Sequence, residues 1–301
     1  MPEPTSTFHA GELVLQAATG VTDEAAHLGR AITRRISSNA SDFIGRQQLA
    51  IVATLDASAR VVCSAVVGEP GAFEVVDPVT LAVDCRTGIV GDALGDRTGE
   101  GAPIGILFIE VGTRRRYRVN GTAIATDGTQ LLIRVAEAYP NCPKYIQRRA
   151  LRLTDDRAAL PEIREGIGLG PEEQRLVASA DTFFVASAGP DGKLDASHRG
   201  GRPGFVRVDG DRLWIPDYAG NNMYNTLGNI AVNPVAGLLF IDFDTGDTLQ
   251  LSGLAEIDLD ARDNDTGGTN RAWTYTATSW RRSRLDARLH STMLEMSPHN
   301  P

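Results

Sequence analysis

The chain has 301 residues, 42% of them hydrophobic and 23% charged, with a formal net charge of −8. That is enough material for two domains with real cores. The acidic balance argues against a general nucleic-acid binder, whose affinity rests on neutralising phosphates, but leaves room for a local basic pocket.

The opening MPEPTSTFHAGELVLQ has no basic segment followed by an apolar one, so no signal peptide is expected. The longest apolar runs, at 104–109 and 235–241, suit strands and are far too short to span a bilayer. Cys63, Cys85 and Cys142 are odd in number and widely spaced, matching neither a disulfide framework nor a zinc pattern. A reduced, cytoplasmic protein with no membrane or nucleic-acid partner is the reading.

From 11 to 40, apolar residues fall at helical spacing (Leu13, Val14, Ala17, Val21, Ala25, Leu28, Ile32, Ile36), predicting one or two helices packed on a barrel. Residues 1–42 form this helical segment, and 43–50 reads as a further short helix. Strands are expected at 51–55 and 60–67 around an Asp56-Ala57-Ser58-Ala59 turn.

That hairpin has an echo. Residues 51–71 lie over 184–204 without a gap, Ser64 on Ser197 and Gly68-Glu69-Pro70-Gly71 on Gly201-Arg202-Pro203-Gly204. GILFIEVGTRRRYRVNG (105–121) lies over GLLFIDFDTGDTLQLSG (237–253). The period is a whole domain, so this is an internal duplication and not a solenoid. It gives a first copy at 43–150, a helical linker at 151–180, and a second copy with its C-terminal tail at 181–301.

In the linker, Gly166-Ile167-Gly168-Leu169-Gly170 superficially resembles a dinucleotide loop. It follows a helical pattern at 161–165 and not a strand, so it reads as a helix stop before Pro171 opens the next helix. The second copy offers strands at 204–208, 212–215, 237–243, 248–251 and 254–259, with one helix at 223–232. Small antiparallel strands with a single helical insert predict a compact β-barrel, mainly β with flanking helices. A polar loop follows at 260–270. The chain then turns basic through Trp280, Arg281, Arg282, Arg284 and Arg288, and 297–301 is expected to be disordered.

The two copies differ in chemistry. Ser197-His198-Arg199-Gly200 stands where the first copy has Ser64-Ala65-Val66-Val67, and Gly220-Asn221-Asn222-Met223 lies near the counterpart of Thr87-Gly88-Ile89-Val90-Gly91. A phosphate site wants a guanidinium fork with N–H and hydroxyl donors, ideally at a helix N-terminus. Arg199, Ser197, Asn221, Asn222, Asn225 and Thr226 supply that set in the second copy alone. Plainer readings stand beside it: Asn221 and Asn222 as turn and cap, Arg199 paired with Asp217, and His198 as a satisfied structural histidine. Arg114, Arg116 and Arg118 share one strand face by period two. They read as a solvated or salt-bridged face with Asp242, Asp244 and Asp247, or as reaching a phosphate in the neighbouring copy. Lys144 and Tyr145 offer polar tips for a ligand edge. No nucleophile elbow or phosphate loop is present, and the five histidines are scattered, so no metal site is expected.

Through SHRGGRPGFV, PDYAGNNMYNTLGN, NPVAGLLFIDFDTGDTLQLSG and NCPKYIQRR, the chain resembles the pyridoxamine 5′-phosphate oxidase-like, FMN-binding split-barrel superfamily, in particular its duplicated members. The resemblance covers roughly 8–259. It implies two tandem six-stranded antiparallel split β-barrels with FMN at a barrel–barrel interface. The implied activity is an FMN-dependent oxidation or reduction of a small molecule, with a nicotinamide reductant as a further partner. A monomer with pseudo-dimeric barrels and a homodimer both fit. By analogy Ser197, His198 and Arg199 lie along the flavin and its phosphate. Asp217, Tyr218, Asn221, Asn222, Asn225 and Thr226 join them, and Gln250 reaches the ring. His198, Tyr145 and Lys144 are the catalytic candidates, with Trp280 and Arg281 as weaker carry-overs. The family's Ser-x-Lys phosphate clamp is replaced by an Asn-rich loop, and no lysine follows Lys193, so pyridoxamine phosphate is not the expected substrate. The alternatives are a non-catalytic flavin carrier or sensor, or a deazaflavin or haem binder.

Overall fold

The computed structural model describes residues 6–85, 99–126, 129–154, 162–262, 264–285 and 289–301. Three helices come first: α1 (Ala10–Ala18), α2 (Thr22–Gly29) and α3 (Ser38–Gly45). The start of α1 is a capping box, in which the His9 ring accepts from Gly11 N–H and the Glu12 carboxylate accepts from His9 N–H. The helix expected at 43–50 is corrected. Gly45 ends α3, and strand β1 (Leu49–Leu55) begins four residues later. Its sequence is apolar on both faces because both are buried: Ala50 and Val52 face the first barrel's core, and Leu49, Ile51 and Ala53 face a core between the barrels.

The remaining strands of the first copy are β2 (Val61–Val67), β3 (Phe73–Asp77), β4 (Thr80–Asp84), β5 (Pro103–Glu110), β6 (Arg115–Thr126) and β7 (Gln130–Asn141). Strand β8 (Arg148–Leu153), strand β9 (Arg164–Gly166) and helix α4 (Pro171–Ser179) lead to the second copy. There follow β10 (Thr182–Ala188), β11 (Leu194–Gly200), β12 (Arg207–Asp209), β13 (Arg212–Pro216), α5 (Asn225–Val232), β14 (Val235–Ile241), β15 (Asp247–Asp258) and β16 (Ala272–Arg284). The hydrogen-bonded orders are β2-β1-β5-β6-β7-β4-β3 and β11-β10-β14-β15-β16-β13-β12, every pair antiparallel. They match strand for strand, so the duplication read from sequence is a duplication of topology. Each path has seven strands, not six, the short β3 and β12 extending its end. Neither path closes on itself, which is what splits the barrel.

Each barrel has its own apolar core, and a third core fills the space between them. Two matched glycines set that approach. A Cβ on Gly105 would sit 2.5 Å from the Leu194 carbonyl oxygen, and one on Gly237 would sit 2.7 Å from that of Val61. Only glycine lets the facing strands come this close.

Several local expectations change. The segment expected to be helical at 161–165 gives β9, which pairs with Trp280–Arg282 of β16, and Gly166 packs against the Trp280 ring. Residues 254–259 are not a separate strand, because β15 runs on to Asp258 through a bulge at Ser252/Gly253. Strand β17 (Leu289–Glu295) pairs with β8. The last residues are tethered, not disordered. Ser297 N–H donates to Gln147 Oε1 at 2.7 Å, and Arg202 Nε donates to the Pro301 carbonyl at 3.1 Å. Residues 87–91, Pro161 and Arg288 lie outside the described residues. Among those described, no helix is long and apolar enough to cross a membrane.

Candidate functional site

A cleft opens where β11 and the turn before α5 meet the ends of β6 and β7 of the other barrel. Strand alternation places Ser197 and Arg199 on one face of β11 and His198 on the other, edge-on to Phe184 with ring centroids 5.6 Å apart. Tyr145 closes one wall. Its backbone is left-handed (φ +66°), and a Cβ on Gly200 would lie 2.1 Å from its carbonyl oxygen. Glycine at 200 is what admits the 142–145 turn to the site.

From β6 come two arginines in different electrostatic states. Arg118 is buried and paired with a carboxylate, although its Nε has no partner: Nη1 donates to Asp195 Oδ1 at 2.9 Å and to Tyr139 Oη at 2.8 Å, and Nη2 donates to Ser197 Oγ. Burial works against its charge, but Tyr139 and Asp195 outweigh it and hold the pKa above the ordinary arginine value. Arg116 donates to the Cys142 carbonyl and Arg199 weakly to the His198 carbonyl at 3.4 Å. Among the described residues neither has a carboxylate within ion-pair distance, and the Nε of each is buried without a partner. Burial, with Arg199 and Arg118 adding repulsion against the opposing pull of Cys142, brings Arg116 down to about 9. Arg199 is lowered too, burial first, with Asp217 opposing and Arg118 adding to the shift. Two half-buried guanidinium groups with no carboxylate in ion-pair distance form a candidate anion site. Asp217, expected opposite Arg199, is held instead by Arg271 Nε at 3.0 Å.

Helix α5 faces the same space. Its N-cap residue, Tyr224, is left-handed (φ +62°) and gives no side-chain cap, so the first-turn N–H groups are left for something else to satisfy. Thr226 Oγ1 donates to Ser197 Oγ at 2.9 Å, tying this turn to β11.

The cleft gathers Ser197, His198, Arg199, Asp217, Tyr218, Asn221, Asn222, Asn225, Thr226, Lys144 and Tyr145. Three of the amides are already engaged. Asn221 Oδ1 accepts from Met223 N–H, Asn222 Nδ2 donates to Glu24 at 2.8 Å, and Asn225 Nδ2 donates to Glu12 at 2.6 Å. Tyr145 Oη donates to the Ala219 carbonyl at 2.9 Å, and its phenol is raised by burial, then by Cys142 and Asp217. The Tyr145 and Tyr218 rings lie 5.3 Å apart, and burial, ahead of Asp265 and Tyr145, pushes Tyr218 up to about 12.

Gln250 is placed elsewhere. It lies in a second cleft with Trp280 and Arg281, and its Nε2 donates to the Cys63 carbonyl and to Ser64 Oγ, each at 2.8 Å. The sequence overlay puts Gln250 on Arg118 and Ser64 on Ser197, so this contact repeats Arg118–Ser197 with the charge removed. There Ala65, Val66 and Thr248 replace His198, Arg199 and Arg116.

Arg271 is not a sequence candidate, while Arg116 and Arg118 enter through one of two readings of the 114–118 face: solvated or paired with Asp242, Asp244 and Asp247, or reaching a phosphate in the neighbouring copy. Arg116 and Arg118 do reach the second copy's cleft residues, and the pairing with Asp242, Asp244 and Asp247 does not form among the described residues. Instead Arg114 leaves the row at a left-handed turn and meets Glu295, while Asp247 is within ion-pair distance of Arg282 and Arg284. The overlay of Arg118 on Gln250 held the signal, since a cation and an amide at one position mark a copy that differs in ligand.

His198 is 4% exposed and its Nε2 has no partner. Burial, then Arg116, Arg199 and Arg149, holds its pKa well below 6.5, so the ring is neutral at pH 7. Below 6.5 the unfolded chain takes up a proton that the folded one refuses. Stability therefore falls with pH by as much as about 1.4 kcal/mol per unit between 6.5 and the folded pKa. Urea midpoints at pH 7 and pH 5 should show His198→Leu losing less than the parent; equal losses would contradict this.

Residues 169–295 match the family model described as pyridoxamine 5′-phosphate oxidase. No match is found among curated proteins. Among solved structures, an F420 reductase is 18% identical, with 37% of this chain and 98% of that one covered, at a TM-score of 0.28. A Clostridium acetobutylicum protein of the pyridoxinephosphate oxidase family, related to a general stress protein, is 17% identical, covering 41% and 92% at 0.27. The heme storage protein of Vibrio cholerae is 10% identical, covering 36% and 88% at 0.27. Likenesses this low carry no weight for function. The match lies over the second copy, and the first repeats that copy's strand order, which together support a duplicated split barrel of pyridoxamine 5′-phosphate oxidase-like fold.

Proposed function

We propose that the cleft binds FMN and that the protein is an FMN-dependent oxidoreductase acting on a small molecule other than pyridoxamine phosphate. The observation that carries this reading is the pair of half-buried, uncompensated arginines, Arg116 and Arg199, each with a buried and unpartnered Nε, beside the uncapped start of α5. A phosphate monoester brings close to two negative charges and accepts both guanidinium and helix N–H donors. The apolar and aromatic wall of Phe205, Tyr218 and Tyr145 suits a flat ring.

Bound flavin supplies hydride or electron transfer, while the protein binds, orients and excludes water. Of the three catalytic candidates, His198 is neutral and enclosed, and Tyr145 has its hydroxyl on a carbonyl. Lys144 is left as the proton-bearing group at the cleft, its Nζ without a carboxylate partner among the described residues. A nicotinamide cofactor is the proposed reductant. The haem alternative needs an open axial imidazole, and Phe184 and Gly200 box His198 in.

The test is the absorption spectrum of the purified protein, with mass identification of what acid releases. We expect paired flavin bands and FMN at one equivalent per chain, because the second cleft lacks the arginine pair. Protein that is colourless and cannot be reconstituted with FMN would overturn the reading, and two equivalents would overturn the assignment of the phosphate to Arg116 and Arg199. Bound FMN with no reductant consumed would favour the carrier.

A further inference from the structure

Helix α5 carries the first-turn N–H groups on which the phosphate reading depends, yet its own segment does little to fix its start. Tyr224 sits in the left-handed region without a capping side chain. What holds this turn comes from about two hundred residues upstream. Gln16, 1% exposed, donates through Nε2 to the Met223 carbonyl at 3.1 Å. Glu12, 5% exposed, accepts from Asn225 Nδ2 at 2.6 Å through one oxygen and from its own helix's His9 N–H at 2.9 Å through the other. His9 Nε2 lies 2.9 Å from Asn229 Oδ1. The two helices also touch backbone to backbone: a Cβ on Gly11 would lie 2.1 Å from the Gly228 carbonyl oxygen, and one on Gly228 would lie 2.8 Å from Glu12 Cα.

A buried carboxylate is costly unless neighbouring groups balance it; for Glu12 these are helix ends, hydrogen bonds and the His9 ring, whose Nε2 lies 3.5 Å from Oε2. Glu12 stands at the N-termini of two helices at once, α1 and α5. Its link also continues into the wall of the cleft, because Asn225 Oδ1 accepts from Tyr139 Oη at 3.4 Å, and Tyr139 in turn accepts from Arg118. Helix α1, which does this, lies outside the stretch matched by the family model.

We infer that α1 is a working part of the anion site, with Glu12 and Gln16 as positioning residues that hold the first turn of α5 toward a bound phosphate. The inference rests on the FMN reading and adds to it a dependence on the N-terminal segment. Its signature is selectivity for the phosphate, since the hydrogen bonds from α1 go to the turn assigned to the phosphate, at Met223 and Asn225.

The experiment titrates FMN and riboflavin, which lacks the phosphate, into the apo forms of the wild type, Glu12→Ala and Gln16→Leu. In each variant the Kd for FMN should rise about tenfold, the loss of about one well-placed hydrogen bond, while riboflavin shifts by less than about twofold. An equal loss for both flavins would mean α1 is mere packing and would overturn the inference, as would unchanged FMN affinity. If Glu12→Ala does not fold, Gln16→Leu, which keeps the buried volume, decides. A wild type that binds neither flavin would overturn the cofactor reading and this inference with it. A wild type that binds FMN beside unaffected variants would overturn the inference alone.

Discussion

Replacing Arg199 by methionine should weaken FMN binding by about a hundredfold, equivalent to roughly 2.7 kcal/mol for a lost charge-assisted contact. The same change should leave the apo protein as stable or more so. Arg199 is partly buried, its Nε has no partner, and Asp217, the nearest candidate counter-charge, is taken by Arg271. Burial and the Arg118 charge act against its ionised form. Removing a charge in that position relieves repulsion with Arg116 and leaves no orphaned carboxylate. The two readouts therefore move in opposite directions: fluorescence titration loses affinity while the urea midpoint holds or rises. A lower midpoint with unchanged affinity would make Arg199 a structural residue and sink its assignment to the phosphate.

The architecture was legible because duplication doubles every signal. Paired matches such as Gly105 on Gly237 and Ser64 on Ser197 survive where a single strand pattern is ambiguous, and here they mark where two sheets touch. Local periodicity failed where tertiary pairing overrode it: the linker pattern before Gly166 yields to pairing with β16, and the C-terminal tail is held by Gln147. The second copy's contribution to the cleft was readable as a cluster of donors around Arg199. What sequence could not settle was the other barrel's contribution, which stood only as the alternative that the Arg114, Arg116 and Arg118 face reaches a phosphate in the neighbouring copy. Arg116 and Arg118 sit about eighty residues from Ser197 and meet it only through the inter-barrel approach. Nor could it assign the amides of Asn222 and Asn225, which helices α2 and α1 have already claimed. Gln250 went astray for the same reason: it stands at the place of Arg118, but in the cleft where Thr248 and Val66 take the places of Arg116 and Arg199.

That equivalence gives the second large effect. Arg118→Met should cost about 3–5 kcal/mol of stability, the usual penalty for breaking a buried ion pair from one side. Asp195 would keep only neutral donors, Asn120 Nδ2 at 2.7 Å and Asn229 Nδ2 at 2.8 Å, and Ser197 and Tyr139 would each lose a donor. At the matched position, Gln250→Met removes a neutral amide that is only partly buried and strands no charge, so its cost should be about 1 kcal/mol. Comparing the two variants by urea denaturation controls for strand, register and barrel, because the topology around them is the same. A gap of several kcal/mol would mean that the first copy keeps its buried arginine at the cost of a network that must stay complete. Equal costs would mean that Asp195 is neutralised by other means, and that Arg118 is held in the cleft for the ligand alone.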